Sequence, residues 1–559
     1  MKGKRVVIVG GVAGGASCAA RLRRQDEHAQ IVILERGAHV SFANCGLPYY
    51  VGGIITNRDD LLVSDATKFR EWFAIEVRTR NEVVAVDREA REVTVRDLDG
   101  ARTYREPYDV LVLAPGAAPL KPPIPGIESD GVFAVRDLAD ADHIVAWLTG
   151  RIVKSAVVVG GGFIGLEMAE NLRHRGLDVT VREVAAQLLP PLDPEIVAPL
   201  VQHLEEHGVR VRLGDGVARF EAAAGGGINV VAASGESDQA DLVVIALGVR
   251  PESRLAALAG LEIGPRGGIV VDESMRTSAP DIYAVGDAVQ VHDVVLGTET
   301  LVPLAGPANR QGRLAADAIS GRPARFRGTQ GTAVVQVFDV TVALTGASEK
   351  SLARERIPFE KAYVHPASHA AYYPGAQPMT IKLLFAPDSG KLLGAQAIGG
   401  EGVARRIDVL AMALQMHATV FDLEEAELCY SPQHGSAKDA VNMAGFVAAN
   451  HLRGDAPLVH WERLAETKVP GGPLVVDVRG VSERAASAPV PGSVNIPLPE
   501  LRARLRELPC EREIWVHCGV GKRSHLATRI LMQNGFRVRN LSGGYRQWSR
   551  GAIKPAARP

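Results

Sequence analysis

Apolar residues in this chain come in short unbroken runs more often than in alternation. The segments 5–9, 31–35, 110–114, 156–159 and 242–247 are rich in Val, Ile and Leu. Such runs, bounded by glycine or polar residues, mark strands buried on both faces of a parallel sheet. Two of them open a repeated pattern. The first is a strand over 5–9, a glycine-rich turn over 10–15, a helix over 16–24 and a strand over 31–35. The second is a strand over 156–159, a turn over 160–165, a helix over 166–175 and a strand over 178–183. The runs at 110–114 and 242–247 end in Pro115-Gly116 and Gly248, and residues 281–287 form another strand ending in Gly286-Asp287.

This order predicts an α/β protein in which one nucleotide fold is inserted into another. The outer fold takes residues 1–119 and 249–325, and the inner one 120–248. From 326 to 453 strands are followed by helices, an α+β pattern. Gly454-Asp455-Ala456-Pro457 reads as a linker. Residues 460–556 again alternate short strands with helices, a separate α/β domain. The length of 559 residues suits about three or four domains of ordinary size.

Composition narrows the class. Apolar residues make up 46% and charged residues 23%, and the net charge is −1, which points away from nucleic-acid and membrane surfaces. Five cysteines in so long a chain make no disulfide framework, so a reducing cytoplasm is expected. The start resembles a secretion signal, and Gly15-Ala16-Ser17-Cys18 resembles a lipoprotein box. Gly10, Gly11, Gly14 and Gly15 interrupt the apolar run, however, and an Arg-rich helix and second strand follow in register, so the segment reads as part of the fold. No apolar stretch is long enough to span a bilayer.

The second glycine turn has dinucleotide spacing. Gly160 allows the tight turn, Gly162 lets a pyrophosphate approach the backbone, and Gly165 lets helix and strand pack closely. Glu183 ends the next strand, where a carboxylate accepts ribose hydroxyls and repels a 2′-phosphate. That favours NADH over NADPH, with Arg182 beside it as the opposing feature. The first turn keeps Gly10 and Gly15 but has Val12 in the middle. Glu35 and the later Gly286-Asp287 restore the pattern, with Asp287 placed for the ribityl or phosphate end of a flavin. Two dinucleotide sites, one split around the other, imply FAD and a pyridine nucleotide.

Cys45 lies in Ser41-Phe42-Ala43-Asn44-Cys45-Gly46 with no second cysteine nearby. It therefore cycles with an outside partner: a small thiol, a persulfide sulfur or a peroxide oxygen. Together with Tyr372-Tyr373-Pro374-Gly375, Tyr430-Ser431-Pro432 and Lys438-Asp439, this segment resembles the pyridine nucleotide-disulfide oxidoreductases, and within them the coenzyme A disulfide reductases. The resemblance covers residues 1 to about 453 and makes 326–453 a dimerisation domain. It implies a homodimer with shared active sites, in which Tyr372 and Tyr430 reach the partner's cysteine. It also implies coenzyme A as a ligand, lined by Ser17, Arg21, Arg24, Ser41, Asn44, Asn309 and Lys438. Phe73 and Gln433-His434 depart from the family pattern and leave the substrate open. The related NADH oxidases and peroxidases carry a His where this chain has Ala13, which argues against oxygen chemistry.

The last domain resembles the rhodaneses. Residues 474–479 read as a buried strand ending in a structural Asp477 and Arg479. The strand at 514–517 delivers Cys518 onto the loop Cys518-Gly519-Val520-Gly521-Lys522-Arg523. Backbone N–H groups and Arg523 are expected to lower the thiol pKa and hold a persulfide anion. Cys45, Tyr372, Tyr430, Cys518 and Arg523 are thus the catalytic candidates. The other cysteines, Cys18, Cys429 and Cys510, read as structural. The histidines, His417 and His434 among them, are read as having no metal-ligand spacing, so no metal is expected.

The pairing of a flavin-linked thiol with a sulfur-carrying thiol predicts NADH-dependent reduction of persulfide, polysulfide or CoA persulfide. The alternatives are a CoA-disulfide reductase, an NADH oxidase, and a sulfurtransferase whose flavin domain is regulatory.

Overall fold

The computed structural model describes residues 3–551, which divide into two compact units. The first holds residues up to Val184 and Gly208–Thr329, and the second holds Ala185–His207 and the chain from Gln330 onward.

In the first unit, strands Ile282–Ala284, Val110–Leu113, Arg5–Val9, Gln30–Glu35 and Glu76–Thr79 lie side by side in that order, all parallel. Val6, Val7 and Ile8 at its centre are fully buried, as expected for a sheet covered on both faces. A second parallel sheet runs Val209–Leu213, Asp178–Glu183, Ser155–Val159, Leu242–Ile245 and Val132–Ala134. The chain leaves the first sheet after Val110–Leu113, builds the second, and returns to add Ile282–Ala284 beside Val110–Leu113. The outgoing strand Ala117–Pro119 and the returning strand Val249–Pro251 pair antiparallel at this crossing. Each parallel sheet carries a three-stranded antiparallel meander that the sequence reading did not separate out: Asn81–Asp87, Glu92–Asp97 and Arg102–Pro107 in one, and Val217–Ala222, Ile228–Ala232 and Ser237–Ala240 in the other.

The first helix of each fold begins earlier than expected. They span Ala13–Arg23 and Phe163–His174, three residues ahead of the predicted starts at 16 and 166. The reason is that Gly15 and Gly165 are helical residues, not turn residues. A Cβ on Gly15 would stand 1.9 Å from the carbonyl oxygen of Gly10, and one on Gly165 would stand 2.0 Å from that of Gly160. Only glycine lets the helix lie so close to the strand end.

The second unit contains an antiparallel sheet ordered Ala333–Val337, Val340–Gly346, Leu392–Gly399, Met379–Phe385, Glu360–Val364. Helices Val403–Gln415 and Ala440–Leu452 follow. Helix Pro194–Glu206, although it interrupts the second nucleotide fold in sequence, belongs here. Its anchor is a buried ionic cluster. Lys382 Nζ lies 2.7 Å from Asp193 Oδ2, 2.6 Å from Glu195 Oε1 and 3.0 Å from Glu349 Oε1.

The C-terminal domain is a parallel sheet ordered Leu458–Val459, Val538–Leu541, Ile514–His517, Leu474–Asp477, Val494–Asn495. It covers the outer edge of the antiparallel sheet. The amide of Tyr363, on edge strand Glu360–Val364, donates to Ser542 Oγ (3.2 Å), Lys361 Nζ lies 2.7 Å from Glu462, and Arg550 donates to Thr380 (2.6 Å). Among the described residues no helix is long and apolar enough to cross a membrane.

Lys382→Ala leaves three carboxylates facing one another in the interior and should destabilise this unit by about 3–5 kcal/mol in urea denaturation. Burial alone would raise the Asp193 carboxyl, but Lys382, the Glu349 amide and Gln396 outweigh it and hold the group below its ordinary value. The stabilisation is therefore present at neutral pH, and it should fade as pH falls through the carboxylate range.

Candidate active site

Both glycine turns sit at the carboxyl ends of parallel strands, where nucleotides bind open α/β sheets. Neither following helix has a side-chain cap at its N-terminus. Their first-turn N–H groups are thus available to an anion. A side chain at Gly162 would project into open space, so the backbone there is open to a ligand's approach. Glu183 is buried and accepts the Gly161 N–H at Oε2 (2.7 Å). Glu35 accepts Gly11 N–H (2.8 Å) and Gly37 N–H (2.7 Å), one on each oxygen. Each carboxylate is so held at the end of its strand, beside the glycine turn. Arg182, which weighed toward a 2′-phosphate, turns into the core instead. Its Nε lies 2.5 Å from Asp238 Oδ2 and its Nη1 3.4 Å from Asp215 Oδ2. Gly286 adopts φ +86° and its N–H donates to Gln311 (2.7 Å), which fixes the turn presenting Asp287. Burial pushes the Asp287 carboxyl up. The residues present fit two dinucleotides.

Cys45 lies on a short 3-10 turn, Asn44–Gly46, that runs directly into helix Leu47–Gly52. That helix packs against Phe163–His174, the helix after the second glycine turn. The approach is close, since a Cβ on Gly52 would stand 2.1 Å from Asn171 Oδ1. The packing brings Glu167, unmarked in the sequence reading, into reach of the thiol. Tyr49 Oη donates to Glu167 Oε1 at 3.2 Å. Partial burial of the sulfur, then the carboxylates of Glu167 and Asp287, push the Cys45 thiol up. Burial and Glu167 push Tyr49 up to about 12. Asn44 Oδ1 accepts the Cys45 amide (3.1 Å) and stands 3.7 Å from Sγ. Ser41 holds a left-handed φ of +50° while its N–H donates to the Gly11 carbonyl (2.8 Å), tying the cysteine segment to the first glycine turn.

The remaining predicted ligand residues are spread more widely. Ser17 Oγ donates to Asn309 Oδ1, where helices Ala13–Arg23 and Ala305–Ile319 cross with Gly312 against Gly14. Arg21 is paired with Asp317 at 2.9 Å, whereas Arg24 and Lys438 are exposed. Tyr372 and Tyr430 lie in the second unit with their hydroxyls 2.8 Å apart. That hydrogen bond raises the Tyr372 phenol, so it stays protonated at neutral pH. Cys18 is fully buried and pushed up to about 12, as an inert thiol should be.

Cys518 follows strand Ile514–His517 and is buried. Gly521, at φ +100°, donates its N–H to Sγ (3.2 Å), and Ser524 Oγ lies 3.5 Å away. A second pair of glycines, missed in sequence, completes the cradle: a Cβ on Gly544 would stand 2.5 Å from the Cys518 carbonyl oxygen, which accepts Tyr545 N–H (2.8 Å). Two glycines after a strand were the readable signal. Arg523 does not face Cys518 as a lone cation. Both its terminal nitrogens lie 2.7 Å from Glu483, and that carboxylate shares its charge. Asp477 and Arg479 form a buried pair at 2.8 Å, with the guanidinium over the Tyr545 ring.

His203 and His207 stand one helical turn apart and meet Asp339, with all ligand atoms within 4.8 Å of one another. The i, i+4 spacing was visible, but the carboxylate comes from a distant hairpin.

Two dinucleotide folds converging on one thiol define a nucleotide-dependent thiol oxidoreductase. The family model of the pyridine nucleotide-disulphide oxidoreductases matches residues 4–312, that of their dimerisation domain matches 332–440, and that of the rhodanese-like domain matches 459–551. The chain belongs to the pyridine nucleotide-disulphide oxidoreductases, with a rhodanese-like domain fused behind. The family implies FAD and NAD(H). The chain is similar over 98% of its length, and 98% of the other, to reduced Bacillus anthracis CoADR-RHD, with 46% identity and a TM-score of 0.96. It is similar over 97% of its length to all of a NAD-dependent persulfide reductase from A. fulgidus, at 37% identity and a TM-score of 0.90. A coenzyme A disulfide reductase of Staphylococcus epidermidis is 35% identical over 445 residues, 79% of this chain and 99% of that one.

Glu167→Gln removes a negative charge beside Cys45. The pH midpoint for alkylation of Cys45, followed by mass spectrometry of its peptide, should move down. An unchanged midpoint would mean that Glu167 has no electrostatic hold on the thiol.

Proposed function

We propose that the protein is an NADH-dependent, FAD-containing reductase of persulfide, polysulfide or CoA persulfide, with a sulfurtransferase domain that handles the same sulfur. One observation carries this reading. A single chain holds an accessible lone thiol at the meeting of two nucleotide folds and a second thiol held by the Gly521 N–H and the Ser524 hydroxyl in a small loop. A reductase of plain disulfides has no need of the second. The similarity to a persulfide reductase across both chains supports the same choice.

Gly10, Gly15, Glu35, Gly286 and Asp287 would hold FAD, and Gly160, Gly162, Gly165 and Glu183 would hold NADH. The buried pairing of Arg182 with two aspartates supports NADH over NADPH. Cys45 Sγ attacks the sulfane sulfur of R–S–SH as thiolate. The Cys45–sulfur bond forms, the S–S bond breaks, and R–S⁻ leaves and takes up a proton. Return of the thiolate with release of HS⁻ requires two electrons, which is the chemistry the flavin supplies when bound. The protein acts as a homodimer, and the hydroxyl pair of Tyr372 and Tyr430 reaches Cys45 of the partner subunit to donate to the leaving sulfur. Ser17, Arg21, Arg24, Ser41, Asn44, Asn309 and Lys438 line the CoA site. Cys518, held by Gly521 and with Arg523 closing the loop, presents sulfane sulfur to the reductase. The setting is a reducing cytoplasm.

The test is anaerobic NADH oxidation with CoA persulfide, polysulfide or CoA disulfide, with released sulfide quantified. Stoichiometric sulfide with persulfide or polysulfide is expected, and turnover on CoA disulfide alone would overturn the proposal. Cys45→Ser should abolish NADH-dependent reduction. Tyr430→Phe should lower kcat by about 10²-fold, the scale of a lost general acid. Cys518→Ser should remove sulfur transfer from thiosulfate to cyanide and slow persulfide reduction. Unchanged reduction in that variant would mean that the two thiols do separate jobs.

A further inference from the structure

A cluster of two imidazoles and a carboxylate that the reductase and sulfurtransferase chemistry does not use lies in the second unit. Helix Pro194–Glu206 ends with His203 in its last turn and His207 at its C-cap. The facing group is Asp339, which with Phe338 forms the two-residue turn between strands Ala333–Val337 and Val340–Gly346. His203 Nε2 lies 3.0 Å from Asp339 Oδ1, and His207 Nε2 lies 3.9 Å from the same oxygen.

The tautomer of His207 is set by its neighbour. Its Nδ1 lies 2.8 Å from the carbonyl oxygen of His203, which only accepts, so Nδ1 carries the proton. In the neutral ring Nε2 then holds the lone pair and faces the carboxylate. A backbone carbonyl fixing the far nitrogen of an imidazole is the usual support for a metal-binding histidine. The ring is also held in place by stacking on Phe338, with centroids 4.2 Å apart and planes 14° apart. Phe338 adopts a left-handed φ of +54°, which turns its ring onto the helix end.

His203 supplies an independent observation. Its Nε2 is buried and makes no hydrogen bond, although Asp339 Oδ1 is only 3.0 Å away. A cation bound there would engage that nitrogen and the carboxylate together. Ligand atoms bound tetrahedrally at about 2.0–2.1 Å stand about 3.3 Å apart. The separations of 3.0 and 3.9 Å lie on either side of that value, and the exposed side chain of Asp339 is able to adjust. The site is also at a helix C-terminus, where the backbone dipole favours positive charge.

We propose that His203, His207 and Asp339 bind a divalent transition ion, zinc by the chemistry of two imidazoles and one carboxylate, with water completing the shell. The ion clips the end of helix Pro194–Glu206 to the hairpin turn. It is a structural ion with no part in the redox chemistry.

The test uses the full-length holoenzyme, stripped with a chelator and titrated with Zn²⁺. One tight site per chain is expected, with a rise in unfolding temperature. The zinc K-edge absorption should show nitrogen and oxygen ligands without sulfur, which separates this site from zinc on the thiols. His207→Ala and Asp339→Asn should each weaken binding by about 100-fold. A sulfur-containing shell, or equal binding and equal thermal stabilisation in the variants, would overturn the proposal.

Discussion

The architecture depends on a contact that admits no side chain. At Gly15 and Gly165 a helix starts against the carbonyl oxygen that ends a strand, with less than a carbon atom's width between them. Everything that approaches a nucleotide is positioned from there. In each fold the strand end and the helix start are locked together, with the helix's N-terminal N–H groups left uncapped by side chains. The cysteine segment is tied to the first turn through Ser41, and the helix after Cys45 leans on the helix of the second turn. One steric condition, met twice, places the thiol between two nucleotide folds.

Much of this was legible in the sequence, for a physical reason. Strands buried on both faces must be continuously apolar, so 5–9, 110–113 and 156–159 announced themselves. The glycine spacing marked the turns. The helix starts were misplaced because Gly15 and Gly165 look like turn residues, although their missing side chains serve packing within the helix. The antiparallel meanders were hard to see because their strands, such as Glu92–Asp97 and Arg102–Pro107, are largely polar.

Pairings across long separations were beyond a linear reading. Glu167 belongs to a helix recognised from the start, yet its role depends on which neighbour that helix packs against. Arg523 was visible as the cation closing the sulfur loop, but Glu483, forty residues earlier, shares its charge. Helix Pro194–Glu206 sits inside the sequence of one fold and is held by Lys382 in another. In each case the partner is fixed by tertiary packing, which residue type and spacing do not specify.

The C-terminal domain lies along strand Glu360–Val364, the last strand of its sheet, and the amide of Tyr363 is bonded to Ser542. A Cβ on Gly543 would come within 3.0 Å of both Tyr363 and His365, so the two surfaces are fitted to each other. The fusion is therefore not a bead on a string. Cutting the chain at Gly454–Pro457 would bare a strand edge and leave the Tyr363 amide without its partner. A truncated reductase would be prone to associate through that edge. For this protein, domain excision is a folding perturbation before it is a functional dissection.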